Sequence, residues 1–455
     1  MLRPARIAAL LLLLAAPTSA QPRNVVVFVA DDHGAEAFGA YGNPVVKTPN
    51  LDRIAAEGVR FTHAFATTAS CSASRSVILT GVHNHRNGQY GHQHEYHHFS
   101  AFENVRTLPA MLAEAGYRTA RGGKFHVAPD SAFRFEQVIA LPQLETFIRS
   151  DSRKPFFFYY GTNEPHRPFR HDVEDRVDPK DVIVPPWLPD IPEVREEFAL
   201  YYASVRSVDK AFGKVVDTLK RTGTYDDTLI VYLSDNGAPF PGSKTNVYEP
   251  GIRLPLVVRK PGARRRAAVS AAMVSWVDLA PSILEFAGVK VPEPPAAAEP
   301  VRPGRFRDEP PAIQGRSFLK VLDEEPATGW DEVYASHTFH EITMYYPMRV
   351  VRTRTHKLIW NIAHPLPFPF ASDLQESKTW QGIVARGLKT IGSRSTRAYL
   401  QRPAFELYDL TKDPLESTNL AGDTRYAPIL AELKAKLKAF QARTGDPWIL
   451  KWNYE

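Results

Sequence analysis

Four acid and amide side chains stand where two apolar runs end. Val25-Val26-Val27-Phe28-Val29-Ala30 leads into Asp31-Asp32, and Leu229-Ile230-Val231-Tyr232-Leu233 leads through Ser234 into Asp235-Asn236. They offer only oxygen ligands, a set suited to a hard divalent cation, Ca²⁺ or Mg²⁺. Either pair alone reads as the cap of a helix or turn. Two such pairs at strand ends, with a distinctive cysteine between them in sequence, read as a metal site. That cysteine, Cys71, is the only one in 455 residues. It cannot pair within the chain, so it is either a small buried side chain or a residue put to chemical use.

The elements that must position these groups follow from patterning. Val25–Ala30, Arg118–Arg121, Phe156–Tyr160, Leu229–Leu233 and Pro255–Val258 are predicted as buried strands, rich in β-branched and aromatic residues. Thr48-Pro49-Asn50 opens a helix that runs to Glu57 and stops at Gly58. Glu193–Arg221 and Val277–Ala287 are further predicted helices. Strand alternating with helix gives an α/β sandwich on a largely parallel sheet, where ligands sit beyond the carboxyl ends of the strands. After a proline- and alanine-rich stretch at 291–311, Glu332–Ser336, Met348–Arg352, Lys357–Asn361 and Phe405–Asp409 read as short strands and Ala427–Thr444 as a closing helix. The expected organisation is residues 1–20 as an export signal, 21–325 as a catalytic domain, and 326–455 as a smaller α+β domain with an antiparallel sheet.

Cys71-Ser-Ala-Ser-Arg75 resembles the maturation signature of the formylglycine-dependent sulfatases, Cys-x-Pro/Ala-x-Arg, and Ser76-Val-Ile-Leu-Thr-Gly81 extends the match. Gly123-Lys124-Phe125-His126, Glu164-Pro165-His166 and Lys244 stand in the family's order. The resemblance implies an alkaline-phosphatase-like sandwich and conversion of Cys71 to formylglycine by a maturation enzyme. It also implies that residue 71 joins Asp31, Asp32, Asp235 and Asn236 in the metal site. In that scheme Arg75 holds the aldehyde hydrate, His126 manages its proton, and Lys124, His166 and Lys244 bind sulfate oxygens, the last two also helping protonate the leaving group. Clustered cations and a metal are what a dianion-like transition state needs.

Further blocks resemble the sulfamidase branch of that family: Asp235-Asn-Gly-Ala-Pro-Phe-Pro-Gly-Ser-Lys244-Thr-Asn-Val-Tyr248, Asn87–Gly91, His97-His98-Phe99, His340–Arg349 and Asp446-Pro447-Trp448. They imply hydrolysis of the N-sulfate of glucosamine at the end of heparan-type saccharides, with a homodimer as the assembly. His98, His340, Glu341 and Arg349 are the expected substrate-binding residues. Two readings of Glu341 stand: it accepts hydrogen bonds from glucosamine hydroxyls, or it pairs with Arg349 to tie the domains together. The histidines at 83, 85, 92, 94, 97 and 98 lack the paired spacing of a zinc site and read as loop and pocket-lining groups.

Ala73 stands where the signature more often has proline, and an unconverted thiol would leave a metal-binding protein with poor sulfatase activity. Other readings therefore remain: an O-sulfatase on sugars or aryl sulfates, a phosphonate or phosphodiester hydrolase of the same superfamily, and a non-catalytic binder of anionic polysaccharide. The formal charge of +6 falls to +4 when Arg3 and Arg6 leave with the signal. This mild excess suits an anionic substrate and does not call for nucleic acid. No later stretch is long and apolar enough to span a bilayer. The signal and the sparse cysteine usage point to an exported bacterial protein, periplasmic or secreted.

Overall fold

The computed structural model describes residues 24–169, 176–291, 310–326 and 328–453. The stretch read as an export signal and most of 291–311 lie outside the described residues. Eight strands form the larger sheet: β1 (Asn24–Ala30), β2 (Val59–Phe61), β3 (Arg118–Gly123), β4 (Gln137–Val138), β5 (Phe156–Gly161), β6 (Thr228–Ser234), β7 (Leu256–Arg259) and β8 (Ala268–Ser270). Their order is β4-β3-β5-β1-β6-β7-β2-β8. The sheet is parallel from β4 to β6, and β7 runs antiparallel to both β6 and β2.

The uninterrupted apolar character of β1 is explained by cover on both faces. Val25, Val27 and Val29 pack with helix α2 (Cys71–Thr80), while Val26 and Phe28 pack with helix α1 (Pro49–Glu57) and the second half of helix α3 (Pro192–Arg221). Both helices follow from local chemistry: α1 starts with proline in its first turn, and α2 ends at Gly81 in the left-handed conformation, its N–H bonded to the Val77 carbonyl. The predicted stretch 277–287 is a short turn leading into helix α4 (Leu279–Phe286).

A second sheet is fully antiparallel, in the order β9 (Glu332–His337), β10 (Met348–Thr353), β11 (His356–Asn361) and β12 (Phe405–Asp409). Helix α5 (Ala427–Thr444) covers one face through Leu433, Leu437 and Phe440. The other face, with Val350 and Ile359, shares a core with Phe198 and Tyr201 of α3. This shared apolar core fixes the loops after β9 over the carboxyl ends of the first sheet. Strands β2, β4 and β8 are only two or three residues long, too short to show a periodicity, and sequence patterning passes over them.

Candidate active site

The register of the two central strands builds the floor of the site. Ala30 of β1 lies opposite Ser234 of β6, so the residues that follow, Asp31 and Asp235, leave the sheet side by side. The Asp235 amide donates to the Ala30 carbonyl at 3.1 Å, and the Asp32 amide to Asp235 Oδ1 at 3.0 Å. Asp32 is in the left-handed region (φ 66°), which turns its carboxylate back over the strand ends. Asp31, Asp32, Asp235 and Asn236 are all fully buried. Asn236 Nδ2 donates to Asp32 Oδ1 at 2.6 Å, leaving Asn236 Oδ1 and Asp31 Oδ1 buried without a hydrogen-bond partner. Buried polar atoms are rarely left so. Two orphaned oxygens within a four-residue oxygen set fit a hard cation.

Helix α2 begins at Cys71, directly over this floor, and every residue of Cys71–Thr80 is buried. Small side chains let it sit in the core: Ser74 Oγ donates to the Asp235 carbonyl at 2.5 Å and Ser76 Oγ to the Ala73 carbonyl at 2.7 Å. Cys71 Sγ lies 3.8 Å from Asp32 Oδ1. Burial pushes the thiol pKa well up; Lys124 opposes this, while Asp31, Asp32 and Asp235 add to it. The unmodified side chain is therefore a neutral thiol, a poor nucleophile.

One turn on, Arg75 spans the site. Its Nε donates to Asp235 Oδ2 at 2.8 Å, its Nη1 to the Lys124 carbonyl at 2.9 Å, and its Nη2 lies 3.5 Å from Asp31 Oδ1. Gly161 makes room for it: a Cβ there would stand 2.5 Å from Arg75 Nη1 and 2.0 Å from the Lys124 carbonyl oxygen.

Lysines close the other sides. Lys124 Nζ bonds Asp31 Oδ2 at 2.5 Å, and Lys244 Nζ bonds Asp32 Oδ2 at 3.0 Å. Burial pushes the Asp31 carboxyl up, but Lys124, His166 and Arg75 together outweigh it and hold the pKa below the usual value. Asp235 stays raised by burial despite Arg75. Burial works against the Lys244 charge, yet Asp32 and Asp373 raise its pKa well above the usual value. Lys244 Nζ also lies 2.9 Å from His166 Nε2 and donates to Asp373 Oδ2 at 2.8 Å.

Above this layer opens a cavity of about 440 Å³, walled by Lys124, His126, His166, Lys244, His340 and Glu341 among others. Cys71 lies beneath its floor. The structure thus brings the six expected catalytic residues and all the expected metal ligands into one cluster. A second cavity, of about 390 Å³, is bordered by Tyr41, Arg60, Trp187 and Arg394 and holds none of them.

The expected substrate-binding set divides. His340 and Glu341 do line the cavity. Arg349 does not: it is fully buried on β10, and its Nε and Nη2 grip Asp446 at 2.5 and 2.9 Å. Pairing of Glu341 with Arg349 is likewise overturned, because Glu341 Oε1 instead accepts from the amide and hydroxyl of Ser372 at 2.8 and 2.7 Å. His98 is exposed and off the cavity wall, where its neighbour His97 sits. Sequence reasoning missed Asp373, whose side chain is 20% exposed and which enters the cavity at the start of a four-residue helix, Ser372–Gln375. Its one local signal is the Ala371-Ser372-Asp373 entry to that helix, which says nothing of chemistry.

The sulfatase family model matches residues 23–145 and 134–289. N-sulphoglucosamine sulphohydrolase of Homo sapiens is 36% identical over 96% of this chain and 94% of its own length. The chain belongs to the sulfatase family. This sulfatase shares its fold with a solved protein in complex with its substrate D-glucosamine-2-N,6-O-disulfate (TM-score 0.68, 22% identity, 94% of this chain and 99% of that one). It also shares it with the phosphonate monoester hydrolase of Agrobacterium radiobacter (TM-score 0.66, 19% identity, 93% and 96%). Among the described residues of the sulfatase, no helix is long and apolar enough to cross a membrane.

Proposed function

We propose that this sulfatase hydrolyses the N-sulfate of a terminal glucosamine in heparan-type saccharides. The observation that carries the reading is convergence on one cavity. The metal-type oxygens and the Cys71 helix lie beneath it, while His340, Glu341 and Asp373 reach it from the second sheet's loops. The similarity to the human N-sulphoglucosamine sulphohydrolase along nearly the whole of both chains supports the same substrate class.

Asp31, Asp32, Asp235 and Asn236 would hold a divalent cation, Ca²⁺ or Mg²⁺, with residue 71 beside it. The cation would supply Lewis-acid stabilisation, and formylglycine at position 71 would supply the hydroxyl nucleophile of its hydrate. Arg75, tied to Asp235 and the Lys124 carbonyl, orients residue 71. Lys124 and Lys244 take sulfate oxygens, and each such donor supplies about 3 kcal/mol of transition-state stabilisation. Burial, with Lys124, His92 and His94, holds the His126 pKa well below its usual value, so the ring is neutral at pH 7 and free to accept a proton. His166, 2.9 Å from the Lys244 ammonium, would help protonate the leaving nitrogen.

Asp373 supplies a further part of the reading. Burial raises its carboxyl, but Lys244 and His166 outweigh that and keep it ionised. Its Oδ2 is bound to Lys244, and its Oδ1 is buried without a partner. A carboxylate among sulfate-binding cations repels sulfate, so its value lies in accepting a hydrogen bond. The bridging N–H of a sulfamate donates one; the bridging oxygen of a sulfate ester cannot. Glu341, anchored by Ser372, accepts from the sugar hydroxyls.

Residues 21–325 would carry the chemistry and 326–455 the sugar-facing loops. Export to the periplasm or medium rests on the sequence of residues 1–20. The test is a panel on protein with residue 71 matured: glucosamine N-sulfate, glucosamine 6-sulfate and an aryl phosphonate. Preferential release of sulfate from the N-sulfate is expected, and equal or greater turnover of either competitor overturns the reading.

A further inference from the structure

Five imidazoles crowd one wall of the cavity. His94 Nδ1 lies 2.5 Å from His126 Nε2, and His92 Nε2 lies 2.9 Å from His340 Nε2. The His92 ring centroid is 4.9 Å from that of His94 and 4.8 Å from that of His126, and His97 stands 5.3 Å from His94. One nitrogen from each of His92, His94 and His126 falls within 4.8 Å of the other two. His126 Nδ1 is buried with no hydrogen-bond partner. The rings bond chiefly to one another and to the Ser72 hydroxyl, and among the described residues no carboxylate hydrogen-bonds any of the three.

We propose that His92, His94 and His126 form a second metal site, selective for Zn²⁺ or a similar borderline transition metal, and that occupancy of this site shuts the enzyme down by engaging His126.

Tetrahedral zinc with Zn–N bonds of about 2.0–2.1 Å places ligand nitrogens roughly 3.3 Å apart. The His94–His126 pair needs to open by less than about 1 Å to meet that spacing, and the partly exposed His94 ring is placed to move. Burial pushes all three imidazoles below their usual pKa, so a metal displaces no proton at neutral pH. The donor chemistry separates this site from the floor. Three imidazole nitrogens suit zinc, nickel or copper, whereas the oxygen set of Asp31, Asp32, Asp235 and Asn236 suits a hard cation. The cavity supplies the path of entry and the fourth ligand, a water or an anion. The sequence hides this site because His126 follows β3, some thirty residues from His92 and His94. It does not depend on the sulfamate reading, since binding is measured apart from turnover.

The experiment titrates ZnCl₂ into matured enzyme held in excess CaCl₂, following binding by calorimetry and sulfate release in parallel. One equivalent of zinc is expected to bind and to abolish turnover in the same concentration range. His94→Ala should weaken that binding by about 100-fold, a ligand mattering at least as much as its supporting partners. His98→Ala, off the wall, should bind as the parent does. Co²⁺ gives a check free of mutation: the intense visible absorption of a four-coordinate nitrogen site is expected. Zinc that is reversed by more calcium, that binds His94→Ala equally well, or that fails to bind overturns the proposal.

Discussion

Replacing Asp373 with asparagine isolates the feature that would set a sulfamate apart from a sulfate ester. Asparagine keeps the size and leaves an amide oxygen for Lys244, which also retains Asp32 at 3.0 Å. What is lost is a charged acceptor, in a side chain four-fifths buried, for a bridging N–H. A hydrogen bond to a charged group contributes about 1.5–3 kcal/mol. At about 1.4 kcal/mol per factor of ten, kcat/KM for glucosamine N-sulfate should fall roughly 10- to 150-fold. An aryl sulfate, with oxygen at the bridge, offers that carboxylate no donor, and its kcat/KM should hold or rise as the repulsion is relieved. The assay is sulfate release from both substrates by parent and variant, matched for conversion of residue 71. An equal fall on both would refute the reasoning, because it would mean that Asp373 acts only by holding Lys244 and His166 in place.

Arg349→Met leaves Asp446 buried without its charged partner and should cost about 3–5 kcal/mol in denaturant unfolding, with the KM of folded protein unchanged; a raised KM at unchanged stability would return Arg349 to the substrate site. Glu249 is buried, which pushes its carboxyl up, but Lys357, Arg352 and Arg253 outweigh this and bring the pKa down to about 2 from 4.5. A lowered folded-state pKa stabilises the fold above about pH 4.5, and the contribution drains away as pH falls toward 2. Glu249→Gln should therefore lower stability at neutral pH and flatten its dependence across that window. Cys71 is fully buried in the folded chain, so a maturation enzyme added to folded thiol protein should leave the mass of the Cys71 peptide unchanged, whereas the same enzyme acting on the unfolded chain converts it.

The parts of the site legible in the sequence are those whose position follows from long, fully buried strands. β1 and β6 are buried along their whole length and carry the unbroken apolar runs Val25–Ala30 and Leu229–Leu233, so the acids that follow them stand out in composition alone. Helix α2 is not amphipathic, because it is buried all round; only its five-residue frame marks it. The second sheet's contribution was harder to read. His340 and Glu341 reach the cavity on the loop after β9, but Arg349 lies beyond that loop on β10, where its side chain meets the end of α5. One sequence block thus divides between the cavity wall, with His340 and Glu341, and an internal strut, Arg349. Asp373 follows a proline- and phenylalanine-rich run without periodicity, and only tertiary packing brings it to Lys244.

The most direct test follows turnover against maturation. Preparations spanning a range of conversion at residue 71, each quantified by peptide mass, should hydrolyse glucosamine N-sulfate at a rate proportional to the converted fraction, with none at zero conversion. Substantial N-sulfate hydrolysis by fully unconverted Cys71 protein, or no hydrolysis by fully converted protein supplied with calcium, would contradict the account.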